Sequence, residues 1–413
     1  MNGRALPGSL RDPLCRLLIH RLPEEYIPPA SRYLPHTALL FFKELNYVKN
    51  TFGSSVSITI FGESHGAAIG AVLDGLAPGI PVDEEFIAHQ MDLRKAVGSI
   101  STARHEADKV RILSGVFNGK TTGTPITFMI ENQDQHSRDY GELAYKARPG
   151  HADFTAMMKY HGHQDFRGGG HFSGRITAGI VAAGAVAISA LKAKGILIGT
   201  HILSCGGICD RSFSPDLEND ILSLGSKEFA VLDDSIKAPM TERIEAAKNN
   251  GDSVGGRLET AVYGFPSGVG EPWFDTLESM ISHMFFSIPA VKGVEFGDGF
   301  ALADMFGSEA NDHFRSCGST ACTSTNHNGG ILGGISSGMP IIIRTAVKPT
   351  PSIYKEQDTV DMRDMSDTTL TIKGRHDPAI IHRARVVLDS AAALVLCDQL
   401  ALRFGTDWLA ARN

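Results

Sequence analysis

The sequence predicts an α+β fold in which strands and helices share one large unit. Apolar and polar residues alternate from Val56 to Phe61 and the run stops at a glycine, which is typical of a half-buried strand. Residues 173–194 are rich in Ala and Gly on nearly every face, which predicts a buried helix. A chain of 413 residues can hold two or three ordinary domains, but a single large α+β unit is also compatible with this length.

Composition narrows the functional classes. With 42% hydrophobic residues the chain can build a large core, and its formal net charge of -7 argues against general binding of nucleic acid or of an acidic membrane. The net charge does not exclude a local basic pocket that binds a small anion. The longest apolar run, from Ala178 to Leu191, consists mostly of Ala and Gly and falls short of a transmembrane helix. We therefore expect a cytoplasmic protein with no nucleic-acid or membrane partner.

The six cysteines do not indicate a disulfide framework in a chain of this length. The pairs Cys205/Cys209 and Cys317/Cys322 have loose metal-like spacing but lack the two-residue gap of a tight zinc motif. Reduced cytosolic thiols are therefore the favoured interpretation, and no metal site is expected.

The predicted strand at 56–61 leads into a polar loop, Gly62-Glu63-Ser64-His65-Gly66. The flanking glycines allow a tight turn, so a carboxylate, a hydroxyl and an imidazole converge on one small space. The apolar residues 67–73 that follow provide a rigid support. This placement suits catalysis, although a polar turn whose histidine caps a neighbouring carbonyl is the alternative.

The other elements are predicted from caps, periodicity and composition. Asp83 is expected to cap a helix whose Phe86, Ile87 and Met91 share one face. Residues 210–270 are more polar, which predicts a surface layer with one helix from Thr241 to Lys248. The remaining predictions are strands at 110–117 and 125–130 around a turn at 119–124, a helix at 273–286, a buried strand at 339–346 and an amphipathic closing helix at 384–403.

Three consecutive glycines, Gly168 to Gly170, precede the predicted helix at 173–194 and are followed by Ser173 and Arg175. Free backbone N–H groups and the helix dipole favour a bound anion at such a position. By itself a glycine-rich loop before a helix is weak evidence for a ligand.

Short glycine-flanked loops along the chain carry most of the chemically active side chains. Arg guanidinium groups match carboxylate and phosphate, and His passes protons near neutral pH. The set therefore suits an anionic, phosphorylated substrate. It comprises the imidazoles of His65, His151, His161, His163 and His376, the carboxylates of Glu63, Asp153 and Asp377, and the guanidinium groups of Arg94, Arg148, Arg175 and Arg375.

Six motifs in a fixed order make the chain from about Phe52 to Leu400 resemble the chorismate synthase family. They are Gly62-Glu63-Ser64-His65-Gly66 with the ending Asp74-Gly75-Leu76-Ala77-Pro78-Gly79, Arg148-Pro149-Gly150-His151-Ala152-Asp153, Val291-Lys292-Gly293-Val294-Glu295, Gly329-Gly330-Ile331-Leu332-Gly333-Gly334-Ile335-Ser336, Lys348-Pro349-Thr350 and Gly374-Arg375-His376-Asp377-Pro378.

This resemblance implies a fold, an assembly and a reaction. Members of the family place core helices between two largely antiparallel sheets, as a β-α-β sandwich, and assemble as homotetramers. They are lyases that convert 5-enolpyruvylshikimate 3-phosphate to chorismate and phosphate by an anti 1,4-elimination, the last step of the shikimate pathway. The reaction needs reduced FMN, and the reduced flavin comes from an NADPH-dependent reductase or from the enzyme's own activity.

The resemblance also implies a role for individual residues. His65 is expected beside the departing phosphate with Ser64 close by, His151 beside the reduced flavin, and Asp377 where the ring proton is removed. Arg94, Arg148, Arg175 and Arg375 are expected to hold the anionic groups of the substrate. Ser173 is expected among both the catalytic and the FMN-binding residues, the latter being His171, Phe172, Ser173, Ala290, Gly333, Lys348, Pro349, Thr350, Pro351, Ser352 and Arg375.

The sequence departs from the family pattern at several positions. His171 stands where an Arg is common, Ile176 where a Glu is common and Pro289 where an Asn is common, and Arg383-Ala384-Arg385-Val386 replaces the usual Arg-Ala-Val-Pro. A non-catalytic homologue that binds flavin or an anion is therefore the alternative. A nucleotide-binding oxidoreductase based on residues 329–334 is weaker, because their glycine spacing does not match the dinucleotide fingerprint.

The resemblance begins well inside the chain. Residues 1–47 mix Arg, Pro and short apolar stretches without sustained periodicity. We expect them to be a disordered tail or an extension introduced by the gene model, and residues 48–413 to form a single catalytic domain.

Overall fold

The computed structural model describes residues 50–95, 98–101, 108–132, 145–372 and 377–410. The prediction for residues 1–47 and the site candidates Arg375 and His376 lie outside the described residues. The strands are β1 (Thr51–Phe52), β2 (Ser57–Gly62), β3 (Ala68–Asp74), β4 (Val110–Ser114), β5 (Val116–Phe117), β6 (Lys120–Thr121), β7 (Ile126–Glu131), β8 (Leu197–Cys205), β9 (Ile208–Cys209), β10 (Gly256–Tyr263), β11 (Val291–Phe296), β12 (Phe314–Cys317), β13 (Thr320–Thr323), β14 (Ile331–Leu332), β15 (Ile335–Ser336), β16 (Ile341–Val347), β17 (Gln357–Asp361) and β18 (Ser366–Leu370). The helices are α1 (Glu84–Leu93), α2 (Asp153–Tyr160), α3 (Thr177–Lys192), α4 (Leu217–Leu224), α5 (Lys237–Asn249), α6 (Leu277–Ser287), α7 (Gly307–Ala310) and α8 (Ile381–Phe404).

The first sheet is antiparallel, with the strand order β1-β2-β3-β7-β4. The alternation that predicted a strand at 56–61 is confirmed: Ile58 is buried and pairs with Leu73 of β3. The loop before β2 is anchored from far along the chain, because the buried carboxylate of Asp398 accepts from the backbone N–H groups of Ser54, Ser55 and Val56 at 3.1, 2.7 and 2.9 Å.

The second sheet is also antiparallel and has the order β11-β16-β10-β8-β9. The prediction that 210–270 form a surface layer is wrong for β10, which lies at the centre of this sheet. The polar residues of β10 misled the prediction because they are paired inside the protein. Thr260 bonds Thr200 at 2.7 Å, and Glu259 bonds His201 at 3.1 Å. The helix predicted from Thr241 to Lys248 belongs to the longer α5.

His201 lies on β8 in a buried set of charges. Its Nδ1 is 3.2 Å from Asp210 Oδ2 and its Nε2 is 3.1 Å from Glu259 Oε2, and Glu259 also accepts from Arg344. Burial by itself lowers the pKa of His201, but the hydrogen bonds and charges of Asp210 and Glu259 outweigh it and raise the pKa above its usual 6.5. The imidazolium form is therefore favoured in the folded protein.

The long helices α3 and α8 lie against each other between the two sheets, α3 on β3 and α8 on β8. Glycine permits the close approach: a Cβ on Gly184 of α3 would lie 2.6 Å from Cα of Ser390 on α8. The predicted sandwich of helices between antiparallel sheets is confirmed. The expectation that no segment reaches the length and apolarity of a transmembrane helix is wrong for Gly174–Lys192, but 83% of its apolar window is buried inside the protein. It is a core helix.

The closing helix was predicted as amphipathic, and this prediction is wrong. From Arg385 to Ala401 every residue of α8 is buried, including Asp389 and Asp398. Because neighbours cover these residues on all sides, this part of α8 has no solvent face to match a polar stripe, and the exposed residues lie in the last turn, Leu402 to Phe404.

Local signals at the helix ends were more reliable. Asp83 caps α1 by accepting from Phe86 N at 2.9 Å, as predicted. The start of the helix predicted at 273–286 is wrong by four residues, because α6 begins at Leu277, after the cap Thr276, and Trp273–Asp275 form a separate 3₁₀ turn. The strand predicted at 339–346 is β16.

The expectation of reduced thiols is wrong for one pair. Cys317 and Cys322 form a disulfide, with their Cα atoms 5.9 Å apart. The hairpin of β12 and β13 brings them together, because Cys317 pairs with Thr320 and Cys322 with Arg315. Among the described residues Cys205, Cys209 and Cys397 are free thiols.

Candidate active site

The loop that follows β2 is compact and buried. Ser64 and His65 are only 3% and 5% exposed. Asn132, at the end of β7, closes the loop by donating its Nδ2 to Glu63 O at 3.0 Å and to Gly66 O at 2.8 Å. The ends of β2 and β7, which are separated by β3 in the first sheet, therefore hold the loop that carries His65.

The three glycines pack directly on this loop. Ser64 N donates to Gly170 O at 3.0 Å. Gly168, Gly169 and Gly170 have φ of 58°, 85° and 54°, a region that side chains disfavour. A Cβ on Gly168 would overlap the His65 ring and lie 2.9 Å from Ser64 Oγ. The lack of a side chain at Gly168 makes room for the imidazole, and the anion cradle stays a prediction.

A carboxylate that the sequence reasoning missed lies beside His65. Asp165 accepts from Nε and Nη2 of Arg167, both at 2.8 Å. The Arg167 hydrogen bonds, helped by the charge of His65, lower the pKa of Asp165 despite partial burial. The spacing Asp-x-Arg just before the three glycines was the available signal, because these two side chains pair within one turn.

His171 and Ser173 stabilise the backbone of the same region. Nδ1–H of His171 donates to Gly62 O at 2.7 Å, which anchors the end of β2. Ser173 Oγ accepts from Arg175 N at 3.3 Å and caps the 3₁₀ turn Gly174–Ile176. Phe172 is 42% exposed and lies edge-on to Tyr160. The contact of these three residues with FMN stays a prediction.

Arg94 and Arg175 meet at Asp108, a second carboxylate that sequence reasoning missed. Arg94 Nη1 is 3.2 Å from Asp108 Oδ2, and Arg175 Nη1 pairs with Asp108 Oδ1. Arg94 also donates to Gly174 O at 2.9 Å and to Thr177 Oγ1 at 3.1 Å, so it holds the start of α3. Asp108 could not be recognised from its spacing, because both partners are distant in sequence.

Arg148 lies next to the glycine loop. Its Nε and Nη2 donate to the two carboxylate oxygens of Asp153, each at 2.7 Å. Burial raises the pKa of Asp153, but the hydrogen bonds and charge of Arg148 lower it by a larger amount, so the net shift of the pKa is downward. A Cβ on Gly169 would be 3.9 Å from Arg148 Nη2.

The same segment reaches the loop after β16 on its other side. His151 Nε2 is 2.7 Å from Ser352 Oγ, and Lys348 Nζ donates to Gly150 O at 2.6 Å. Burial, together with the charge of Lys292, lowers the pKa of Lys348. Residues 148–153 therefore connect the His65 loop with the 348–352 segment.

The segment 348–352 contains a buried polar atom whose hydrogen bonding is not satisfied within the described residues. Oγ1 of Thr350 is buried and has no hydrogen-bond partner in the part of the chain that the structure describes. Pro351 packs against Gly150, where a Cβ would be 2.9 Å from the proline Cβ. Lys348 N donates to Ala290 O at 2.9 Å, and Ala290 has an unfavourable φ of 74°. Pro349 follows directly on Lys348.

Asp377 lies beside these residues. Arg383 Nη1 donates to Asp377 Oδ2 at 2.6 Å. The next carbonyl, Pro378 O, accepts from Val254 N at 2.8 Å, and the neighbouring Ser253 Oγ donates to Thr350 O at 2.6 Å. Hydrogen bonds thus tie Asp377 to the 348–352 segment.

Three further positions remain, namely one predicted FMN-binding residue and two residues that differ from the family pattern. Gly333 has a φ of 61° and open space around it, in the β14–β15 hairpin whose Gly334 O accepts from Leu277 N at 2.9 Å. No hydrogen bond among the described residues joins Gly333 to the loops above. Ile176 is 4% exposed in the core, which suits its apolar side chain, and Pro289 is exposed.

Comparison with known proteins gives one consistent result. The family model described as chorismate synthase matches residues 56–401. A chorismate synthase from Pyrococcus abyssi is 46% identical over 351 residues, which cover 85% of this chain and 97% of the relative. A chorismate synthase from Thermococcus kodakarensis is 44% identical with the same coverage.

A third relative and a solved structure agree. A chorismate synthase from Methanosarcina barkeri is 46% identical over 359 residues, covering 86% of this chain and 97% of the relative. A solved crystal structure of chorismate synthase superposes with a TM-score of 0.68 at 30% identity, covering 86% of this chain and 94% of that one. Similarity therefore extends over sequence and fold alike.

Proposed function

Because the chain belongs to the chorismate synthase family, we propose that His65, His151 and Asp377 carry the family's reaction. The protein is a lyase that converts 5-enolpyruvylshikimate 3-phosphate to chorismate and phosphate, in the shikimate pathway to aromatic amino acids. In the proposed anti 1,4-elimination the ring loses a proton, its C–H electron pair enters the new double bond, and phosphate leaves with the C–O pair. One observation carries the residue assignments: loops that are distant in sequence are joined by direct hydrogen bonds around these three side chains.

We propose that His65 and Ser64 face the departing phosphate. Phosphate is a poor leaving group unless its developing charge is neutralised, and a fixed imidazole can supply a proton or a positive charge. Burial of both side chains supports this role, because a water-poor site strengthens such an interaction. The glycines that pack against His65 keep the ring from turning away.

Four arginines are proposed to hold the anionic groups of the substrate. Arg148 and Arg175 border the glycine loop, and Arg94 is bridged to Arg175 by Asp108. Two guanidinium groups that share one carboxylate retain a net positive charge, which supports binding of an anion nearby. Arg375 is assigned by the family motif alone.

The residues of the 348–352 segment fit reduced FMN, which the family uses. The charge of Lys292 helps to lower the pKa of Lys348, so two positive groups act in one place, which suits a phosphate. The unpaired Thr350 Oγ1 can bond a polar ligand atom. When bound, reduced FMN supplies electron density to the elimination without a net redox change. We propose that it is held by His171, Phe172, Ser173, Ala290, Gly333, Lys348, Pro349, Thr350, Pro351, Ser352 and Arg375.

His151 is proposed to hold or donate a proton on the flavin side of the site. Its Nε2 shares a hydrogen bond with Ser352 Oγ, which orients the ring. Asp377 is proposed to take up the ring proton of the substrate. Because general acids and bases of this kind act only within hydrogen-bond reach, the fixed positions of both side chains support the assignment.

The protein is proposed to be cytoplasmic and to assemble as a homotetramer, with reduced flavin supplied by an NADPH-dependent reductase or by its own activity. Association is supported by a group of strongly exposed aromatic side chains, which a monomer would leave in water. They are Trp273, Phe274, Phe300, Phe306 and Phe314, from 61% to 92% exposed.

The test is an anaerobic assay with purified protein, chemically reduced FMN and 5-enolpyruvylshikimate 3-phosphate. Chorismate absorbance and phosphate release are followed for wild type, for His65→Ala and for the control His313→Ala, which alters an exposed histidine. We expect equal amounts of both products, and about a 100- to 10,000-fold lower rate in His65→Ala only. Binding of FMN and substrate without product would make the protein a binding homologue and refute the catalytic assignments.

A further inference from the structure

We infer that Arg383 is the positioning residue for Asp377, an inference that rests on the proposed role of Asp377 as acceptor of the ring proton. Arg383 lies in the first turn of α8 and donates Nη1 to Asp377 Oδ2 at 2.6 Å. The side chains of the two residues are 25% and 14% exposed. Because both side chains are largely shielded from solvent, this charge-assisted hydrogen bond holds its geometry better than a solvent-exposed salt bridge does.

The guanidinium of Arg383 is held on a second edge. Its Nε donates to the backbone O of Arg94 at 2.8 Å. Arg94 ends α1, and its own guanidinium donates to Gly174 O and Thr177 Oγ1 at the start of α3. A continuous line of hydrogen bonds therefore runs from Asp377 to the turn that follows the glycine loop on His65. Arg383 thus links the two sides of the site.

The backbone that follows Asp377 is held in place. Pro378 O accepts from Val254 N at 2.8 Å, and Ala379 is fully buried, so the main chain after Asp377 is anchored. Arg383 restricts rotation about the side-chain bonds of Asp377. Misplacing a reacting group by about 1 Å can cost about 100-fold in rate, so this restriction matters for the chemistry.

The role requires an arginine rather than any cation. The two hydrogen bonds of Arg383 leave from different nitrogens of one rigid plane, toward Asp377 and toward Arg94 O. A lysine keeps the charge but presents one ammonium group on a flexible stem, so it cannot hold both acceptors in the same geometry. Arg383→Lys should therefore recover only part of what Arg383→Ala loses.

Arg383 takes no part in the proton transfer itself. In the proposed step the C–H bond of the ring breaks, its electron pair enters the new double bond, and the proton passes to Asp377. A guanidinium is not deprotonated in proteins. Arg383 thus acts through the position of the carboxylate, not as an acid.

The experiment compares Arg383→Ala, Arg383→Lys and the control Arg403→Gln, which alters an exposed arginine in the last turn of the same helix. Both kcat and KM are measured anaerobically with reduced FMN, together with the melting temperature. We expect Arg383→Ala to lower kcat about 10- to 100-fold with KM within about 2-fold, since supporting hydrogen bonds have effects of this size. Arg383→Lys should be intermediate, free guanidinium ion should restore part of the rate of Arg383→Ala, and Arg403→Gln should match wild type.

Comparison with Asp377→Asn separates failure of this inference from failure of the proposed function. If Asp377→Asn is inactive and Arg383→Ala has wild-type kcat, the inference is overturned and the proposed function stands. If Asp377→Asn has wild-type kcat, the proposed role of Asp377 is itself wrong. The double variant Arg383→Ala/Asp377→Asn should have the same kcat as Asp377→Asn, because Arg383 acts through that carboxylate. If Arg383→Ala lowers kcat by its full factor in the Asp377→Asn background as well, the inference is overturned. Should Arg383→Ala fail to fold, Arg383→Lys decides, and a wild-type kcat in that variant contradicts the need for the bridging geometry.

Discussion

The packing of Gly168 on His65 leads to a quantitative prediction for Gly168→Ala. Two effects are expected. Gly168 has a φ of +58°, a backbone region that costs a residue with a Cβ about 1–2 kcal/mol. The new methyl group would also overlap Cε1 and Nδ1 of His65, and the ring has to move by about 1 Å to reach the ordinary contact distance of 3.4 Å.

The neighbouring glycine provides a matched control that separates these effects. Gly169 has a φ of +85°, but a Cβ there would meet nothing closer than Ser173 Cβ at 3.8 Å. Gly169→Ala should therefore carry the backbone cost alone. We expect both variants to lose about 1–2 kcal/mol of unfolding free energy from the backbone, and Gly168→Ala to lose more because the His65 ring has to move. Only Gly168→Ala should lose about 100-fold in kcat, because displacing a reacting group by about 1 Å has an effect of that order.

The assay measures chorismate formation under anaerobic conditions, with urea unfolding of the same preparations. Equal kcat values for Gly168→Ala and Gly169→Ala would refute the reasoning, since the contact with His65 would then have no effect on the reaction. A fall in unfolding free energy without a fall in kcat would likewise mean that His65 tolerates displacement or is not the group that meets the phosphate.

Two further predictions concern buried charges outside the candidate site. Asp398→Asn should lower the unfolding free energy by about 2–3 kcal/mol, because three backbone N–H groups lose a charged acceptor, and an unchanged urea midpoint would contradict the anchoring of residues 54–56. The raised pKa of His201 contributes stability that is complete below pH 6.5, the usual value, and that is lost as pH rises through the raised value. The difference in unfolding free energy between wild type and His201→Asn should therefore shrink as the pH rises above 6.5. Urea unfolding over that pH range measures this difference, and a difference that stays constant or grows would contradict the prediction.

Much of the local structure could be predicted because its causes lie within a few residues. The alternation at 56–61 identifies β2, and Asp83 marks the start of α1 by bonding an N–H three residues on. The identity of the family, and with it the sandwich fold and the reaction, follows from short motifs whose order the sequence displays directly. Candidate residues such as His65, His151 and Asp377 were found in this way.

The errors have a common physical origin in burial that composition does not reveal. β10 was predicted as part of a surface layer because it is polar, but Glu259 and Thr260 are paired with side chains of other strands. The closing helix α8 was predicted as amphipathic although both of its polar aspartates are buried. The disulfide of Cys317 and Cys322 depends on a hairpin that the cysteine spacing alone did not indicate.

The sequence by itself determined the family, the reaction and most candidate residues, because these depend on residue type and on spacing along the chain. Only the tertiary structure decided which groups support them: Asp165 beside His65, Asp108 between Arg94 and Arg175, and Arg383 on Asp377. The physical reason is that these partners meet across strands and helices, as when Arg383 bonds the backbone of Arg94 from 289 residues away. A hydrogen bond depends on separation in space, which spacing along the chain does not measure.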